Sequence, residues 1–502
     1  MNNTEEFYIK NKQYYDENFH RDIDEFILFE SFYSSKNLIY GITKVGLTLS
    51  AILNLKPLCI LSIDKKNHKF VKSICGNTIN PRPYFLKIIF KRISYLIYFF
   101  IGVNKKKLLS LNIDGNEIGK HIYDSILIRY KLPTLAKINF KYRVHIIYEI
   151  IFYFLFKDLL DNYNIKYIVL GDNTYRHGML FELSKNLNID CISPVSLNSF
   201  SISKYSTKSD YTEHCFSIKS EYLKNIKDKK NAVVKAKEYF ERRYSGAIEQ
   251  HDVLNAFKNK KIKSKELFFI DYNLDQGKKT VAIMPHIFCD APHAYPSTLY
   301  SDYYEWFIET AKILKQNSNI NVIVKEHPSA HLYNEKGVME ERLKDNNINI
   351  TVIDSEENTY SIIQNTDVIV TCGGTIGLEF ACTGKPVILA ANPPYSNLGF
   401  TIDNKTIKDY THSLLNCHLL HDLNEKQKEN AFLTAYLSYD SNKVNVKKLE
   451  IGSKGVYLGQ KYNDEELYND IINYQKVNIS NQYIYKYLES FVINNNRLGL
   501  DL

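Results

Sequence analysis

Between residues 280 and 391 short apolar runs alternate with amphipathic stretches. "TVAIMP" (280 to 285) predicts a buried strand, and Tyr303, Trp306, Phe307, Thr310, Ala311 and Leu314 recur at helical spacing within a helix expected over 301 to 317. Further strands are expected at 320 to 326, 348 to 354, 366 to 372 and 385 to 391, with helices near 335 to 344, 358 to 365 and 375 to 383. None of these strands shows an alternating polar face. That pattern belongs to a parallel sheet covered by helices on both sides, so this half is expected to be Rossmann-like.

The amino-terminal half repeats the alternation less regularly. Strands are expected at 25 to 31, 56 to 64 and 164 to 173, and helices at 37 to 55 and 174 to 189. A charged helical segment (219 to 268) is expected to close this first domain, so the predicted division is 1 to 268, 269 to 405 and a helical segment, 406 to 502, packing back on both. Two Rossmann-like domains facing a cleft, followed by carboxy-terminal helices, describe an α/β fold of the GT-B type. Two apolar stretches, 85 to 103 and 144 to 160, invite a membrane reading. Lys87, Lys91 and Arg92 interrupt the first and Glu149, Lys157 and Asp158 the second, so neither reaches the roughly 20 unbroken apolar residues that span a bilayer. For 85 to 103 two readings stay open. One is a core helix with a solvated edge; the other is a basic amphipathic face, continued by "NKKK" (104 to 107), lying on anionic lipid.

Composition narrows the class. A chain of 502 residues exceeds one ordinary core of roughly 100 to 200 residues, and 44% hydrophobic with 24% charged residues is the balance of a folded protein rather than a disordered one. Lys and Arg (64) exceed Asp and Glu (56) by 8, a modest excess that fits an anionic substrate or a membrane surface, and no nucleic-acid motif is present. Eight cysteines stand singly with no CxxC pair, which favours reduced thiols in the cytosol. The polar, acidic amino terminus lacks the pattern of a signal peptide, so a cytoplasmic location is expected.

In an open parallel sheet, ligands bind beyond the carboxyl ends of the strands. Three segments fall there in the second domain: 285 to 296, "KEHPSAH" (325 to 331) and "CGGTIGLE" (372 to 379). In the last, Gly373 and Gly374 allow close backbone approach, and Thr375 stands at an N-cap position where amides and helix dipole favour an anion. Glu379 then lies one turn in, facing either ribose hydroxyls or solvent. Pro328 restricts His327 to an extended backbone and so directs its imidazole, which can bind a phosphate oxygen. Lys325 shares that strand end, and His286 and Asp290 follow a neighbouring strand. His286, Asp290 and His293 also admit a metal reading, but the ligand set is incomplete; no metal and no cofactor are expected.

As a set, "IMPHIFCDAPHAYPSTLYSDYYEWFIETAKIL", "VIVKEHP", "VIVTCGGTIGLEFACTGKPVILA" and "YSNLGFT" (395 to 401) resemble the donor domain of bacterial capsule and surface-polysaccharide glycosyltransferases, including Kdo-transferase and sialyltransferase-like GT-B groups. Segments 113 to 130 and 171 to 180 resemble the acceptor half. The resemblance implies a nucleotide-activated sugar as donor substrate, favouring CMP-Kdo or another CMP-ulosonic acid, and a growing capsule, lipopolysaccharide or other surface glycan as acceptor. It implies that His327, Thr375 and the Gly373 and Gly374 amides, supported by Lys325 and Pro328, hold donor phosphate, and that Glu379 binds ribose. The chemistry then needs a carboxylate or imidazole as base or nucleophile: Asp172 first, then Asp124 and His177, with His286 on the donor side. Asp290, Arg129 and Arg243 are expected to bind substrate. Contact with the inner membrane and the export machinery is a further expectation. Alternatives are a UDP-sugar 2-epimerase or hydrolase, a CDP-alcohol phosphotransferase of the teichoic acid type, or a subunit without turnover.

Overall fold

A computed structural model of the chain describes residues 3–19, 22–194, 202–206, 210–212, 215–248, 251–295, 297–439 and 463–493. The chain divides into two compact units, one comprising Met1–Ile122, Lys137–Phe216 and Asn442–Asp501, the other Tyr123–Ala136 and Ser217–Ser441.

The first unit is built on a sheet of β1 (Glu25–Glu30), β2 (Lys56–Ile60), β3 (Thr78–Ile79), β4 (Asn164–Val169), β5 (Asp190–Ser193) and β6 (Ser203–Tyr205). Its strand order is β3-β2-β1-β4-β5-β6, parallel except for β6. Around it run α1 (Asn3–Phe19), α2 (Lys36–Leu53), α3 (Arg82–Gly102), α5 (Phe140–Asn162) and α6 (Tyr175–Asn186), whereas α4 (Gly119–Tyr130) starts in this unit and belongs to the second from Tyr123 on. The apolar run of α2 is buried along most of its length beside β1, with Ile39, Ile42 and Val45 fully enclosed.

The second unit carries β7 (Lys279–Ile283), β8 (Ile320–Lys325), β9 (Thr351–Ile353), β10 (Val368–Thr371), β11 (Val387–Leu389) and β12 (Ile402–Asp403). All are parallel, in the order β9-β8-β7-β10-β11-β12. This is the doubly wound order in which the topology reverses between the first and fourth strands, here β7 and β10, and that reversal opens a crevice at their carboxyl ends. Strands β10 and β11 are buried at every position, which explains their unbroken apolar sequence. The expected α/β class and both Rossmann-like sheets are therefore present. Helices α7 (Lys229–Tyr244), α8 (Tyr303–Lys315), α9 (Ile376–Cys382) and α10 (Glu425–Tyr439) belong to this unit.

The unit limits differ from those expected. Residues 219 to 268 were assigned to the first domain, but they group with the second: α7 lies along α10, with Tyr239 stacked on Tyr439 at 4.9 Å. Residues 406 to 502 split. Helix α10 stays in the second unit, whereas α11 (Asp464–Gln475) and α12 (Tyr483–Ile493) join the first, where Tyr468 stacks on Phe7 at 4.0 Å and receives a hydrogen bond from Lys36 at 2.8 Å. Part of that carboxy-terminal segment, 440 to 462 and 494 to 502, lies outside the described residues. The stretch 144 to 160 is a buried helix centre, but 85 to 103 is not a core helix. Only Ile88, Leu96 and Phe99 of α3 are buried.

Candidate active site

The crevice between β7 and β10 gathers most of the expected donor-side residues. His286 follows β7, and its ring stacks on Tyr303 (centroids 4.4 Å, 11°) and meets Tyr295 edge-on. Burial among these rings, and secondarily the proximity of His327, pushes its pKa down to about 3. A neutral imidazole results, and its Nε2 accepts a hydrogen bond from the Gly373 amide at 3.3 Å, which leaves the proton on Nδ1.

The glycine turn after β10 is fixed by hydroxyls. Tyr295 donates to the Gly373 carbonyl at 2.8 Å and Tyr395 to the Gly374 carbonyl, while Thr371 Oγ1 accepts from the Gly374 amide at 3.2 Å. A Cβ on residue 373 would stand 2.6 Å from the Tyr295 ring, so glycine is required there by close approach. These contacts correct one expectation: the Gly373 and Gly374 amides, assigned to a ligand, already have acceptors inside the protein. Thr375 remains at the mouth of the turn, partly exposed, and its side chain makes no capping bond to α9. At seven residues, α9 adds little dipole.

His327 stands beyond β8, partly exposed. Its Nδ1 accepts from the Ser329 amide at 3.1 Å, so in the neutral ring the Nε2–H is the group turned to donation. Ser329 Oγ in turn receives a bond from Asn255 at 3.1 Å. Lys325 does not share this role. Its buried ammonium donates to the carbonyls of Glu326 (3.1 Å) and Asp354 (2.7 Å), and burial, ahead of repulsion from Lys260, lowers its pKa to about 7. Glu326 supports the strand end by accepting from the Gly337 amide.

Three further assignments change. Glu379, expected at a ribose, and Arg243, expected on an acidic substrate, bind one another: Arg243 Nε and Nη2 both lie 3.0 Å from Glu379 Oε1, and both residues are buried. Asp124, expected as a catalytic carboxylate of the other domain, belongs to the second unit and is 1% exposed. It lies 2.6 Å from His293 Nδ1 and accepts from the His293 amide at 3.1 Å; burial raises its pKa despite that partner. Next to it, Tyr123 and Thr134 each donate to Asp302 at 2.6 Å, and Asp302 also caps α8 through the Glu305 amide at 2.8 Å. These bonds explain why Tyr123–Ala136 groups with the second unit. Asp290 follows His286 on the same loop, whose Phe288 and Cys289 amides are held by buried Glu335 at 2.8 and 2.9 Å. Arg129 is exposed and joins none of these groups.

In the first unit, the corresponding reversal lies between β1 and β4. Asp172 follows β4, and its Oδ1 accepts from the amide and hydroxyl of Thr174, both at 2.8 Å, fixing the carboxylate at the start of α6. His177, within α6, sits 3.0 Å from Glu30 at the end of β1 and stacks on Tyr33 at 4.9 Å. Burial alone would lower the His177 pKa, but the Glu30 charge, joined by Asp172, raises it. Arg176 forms two bonds to buried Glu149, at 2.6 and 3.0 Å. Glu30 and Tyr33 have no place in the sequence reading, and Glu149 figures there only as an interruption of an apolar stretch. Glu30 carries the same signal as His327, a polar residue ending an apolar strand.

Residues 298–440 match the family model for capsule polysaccharide biosynthesis protein. The match takes in Lys325, His327, Pro328, Gly373, Gly374, Thr375 and Glu379, and bears out the resemblance over that stretch; His286, Asp172 and His177 lie outside it. No curated protein matches the chain. Among solved structures, the beta Kdo 2,4 transferase KpsC of Thermosulfurimonas dismutans is similar at 14% identity over 54% of this chain and 79% of that one, with a TM-score of 0.36. UDP-GlcNAc 2-epimerase from Neisseria meningitidis, bound to UDP-GlcNAc, is similar at 9% identity over 82% and 96%, with a TM-score of 0.25. An Escherichia coli structure titled for trehalose-6-phosphate and bound with UDP-2-fluoro glucose is similar at 12% over 82% and 94%, with a TM-score of 0.29. At these scores the likenesses do not bear on this chain's activity. No helix among the described residues is long and apolar enough to cross a membrane.

Proposed function

We propose that this chain is a glycosyltransferase of surface-polysaccharide synthesis that transfers a sugar from a nucleotide-activated donor to a glycan. One observation carries the reading: His327, Thr375 and the neutral His286 converge on the reversal point of a doubly wound sheet, in a region that largely coincides with the capsule polysaccharide match. That crevice is where such sheets bind nucleotides.

In this reading the His327 Nε2–H and the Thr375 hydroxyl bind donor phosphate. The Gly373 and Gly374 amides hold the turn in shape instead. His286 acts as an uncharged ring that orients the Gly373 peptide. His286 is neutral and the Lys325 ammonium is bound to two carbonyls, so neither of these two strand-end groups offers a free positive charge, which favours a donor with one phosphate. CMP-Kdo or another CMP-ulosonic acid is therefore the donor proposed. Asp172 is the carboxylate proposed to act on the acceptor side, as base or nucleophile, with His177 and Glu30 as its charged neighbours.

Thermal-shift titration of the full chain with CMP, UDP and GDP tests the donor class, because a ligand of the native state raises its stability by mass action. A CMP-selective rise is expected. No shift with any of the three would sink the proposal.

A further inference from the structure

Helix α3 turns its most apolar side chains outward. Leu86, Phe90, Ile93, Ile97 and Ile101 are 63%, 77%, 47%, 52% and 71% exposed; the helix breaks at Arg92 (φ −126°, ψ 18°), and on either side of that break the spacing groups Leu86 with Phe90, and Ile93 with Ile97 and Ile101, on one outward side of each segment. The opposite side is packed. Phe85 meets Phe152 edge-on at 5.0 Å, Tyr95 meets Phe154 at 5.9 Å, and the Arg92 guanidinium lies 3.7 Å above the Phe154 ring. The helix is therefore anchored through one face on α5, and the outer stripe is surplus to that anchoring.

The stripe does not stop at the end of α3. Arg143 donates to the Ile101 carbonyl at 2.9 Å, and Phe100 meets Phe140 edge-on at 5.7 Å. That brings Phe140 and Val144 of α5, 73% and 49% exposed, to the end of the same surface. Tyr98, 72% exposed, adds a side chain with an apolar body and a polar tip, the type favoured where lipid meets water.

Charge identifies the occupant. Residues 82 to 107 hold seven Lys or Arg and not one Asp or Glu, and residues 131 to 148 likewise contain Lys131, Lys137, Lys141 and Arg143 with no acidic residue. Lys87, Lys91, Lys106 and Lys141 are exposed. A second copy laid face to face on this surface would set its own lysines against these, at a cost in repulsion. We propose that the outer face of α3, continued by the start of α5, docks on an anionic lipid bilayer, its apolar side chains entering the interface and its lysines meeting the headgroups. The proposal is independent of the glycosyltransferase reading.

Flotation of the full chain with vesicles tests it without any nucleotide, so its outcome is separate from that of the donor titration. Vesicles of phosphatidylcholine with about one-third phosphatidylglycerol should carry the protein upward, and phosphatidylcholine alone should carry far less, because the lysines contribute only against anionic lipid. The variant Lys87→Gln/Lys91→Gln/Lys106→Gln should bind anionic vesicles about 100-fold more weakly, at about fivefold per lysine. Phe90→Ser/Ile97→Ser/Ile101→Ser should abolish binding while far-UV circular dichroism shows the same melting as the parent. Absence of the protein from anionic vesicles overturns the proposal, as does equal flotation of the parent and both variants. A dimer that the apolar variant converts to monomer, with no flotation in either form, also overturns it in favour of a second copy.

Discussion

Replacing one member of the Arg243–Glu379 pair should be costly, and replacing both should not. Arg243 is 4% and Glu379 2% exposed, and two guanidinium nitrogens lie 3.0 Å from one carboxylate oxygen. Removing either partner strands a charge in a buried site, which typically costs about 3–5 kcal/mol. Removing both exchanges an ion pair for apolar packing and is often neutral. Arg243→Met and Glu379→Leu should thus each destabilise by about 3–5 kcal/mol, whereas the double variant should fall well short of their sum, leaving a coupling energy of at least about 2 kcal/mol. Urea unfolding followed by tryptophan fluorescence reads this directly. The single tryptophan, Trp306, is buried in the second unit and bonded to Tyr410 at 2.8 Å, so the signal reports the unit that holds the pair. Single-variant losses that add to within about 0.5 kcal/mol would refute a buried, coupled pair.

Acid should destabilise the second unit through His286. Its folded pKa of about 3 lies below the ordinary 6.5, so the unfolded state binds the extra proton, and stability falls as pH drops from about 6.5 toward 3. At pH 5 the loss is about 2 kcal/mol, and a His286→Phe variant, followed by Trp306 fluorescence, should lack that slope. Gly373→Ala should destabilise by about 1–3 kcal/mol, because the new methyl group meets the Tyr295 ring at 2.6 Å; a melting temperature equal to the parent's would contradict the tight turn. Asp172→Asn should keep the melting temperature within about 2 °C, since the amide oxygen can still accept from Thr174, yet reduce sugar transfer by about 100-fold or more if the carboxylate acts chemically. Transfer at the parental rate would remove Asp172 from the reaction.

The sheet of the second unit was legible because parallel strands buried on both faces leave continuous apolar runs, as at 368 to 371 and 387 to 389. Strand β12, two residues long, is too short to leave a period, and β3 and β6 were missed for the same reason. The strand-end residues His286, His327 and Thr375 were legible because topology alone sends strand ends to one edge. Partnerships were not. Asp124 and His293 are 169 residues apart, and Arg243 and Glu379 are 136 apart, so no spacing rule connects them, and a charged residue read alone looks available for substrate. The same limit applies to Lys325. Its position was correct, but the carbonyls of Glu326 and Asp354 that hold it can be known only from the fold. For α3, pattern alone left core and surface readings open, since both need an apolar stripe; the aromatic contacts to α5 decide which side faces inward.

The central claim is that His327 and Thr375 face one donor phosphate. Calorimetric titration of CMP and of cytidine, which lacks the phosphate, into the parent, His327→Ala and Thr375→Val tests it directly. Loss of a hydrogen bond to a charged group costs about 1.5–3 kcal/mol, so each variant should bind CMP about 10- to 100-fold more weakly while its cytidine affinity stays at the parental value. CMP affinity unchanged in His327→Ala, or CMP and cytidine weakened alike, would contradict it.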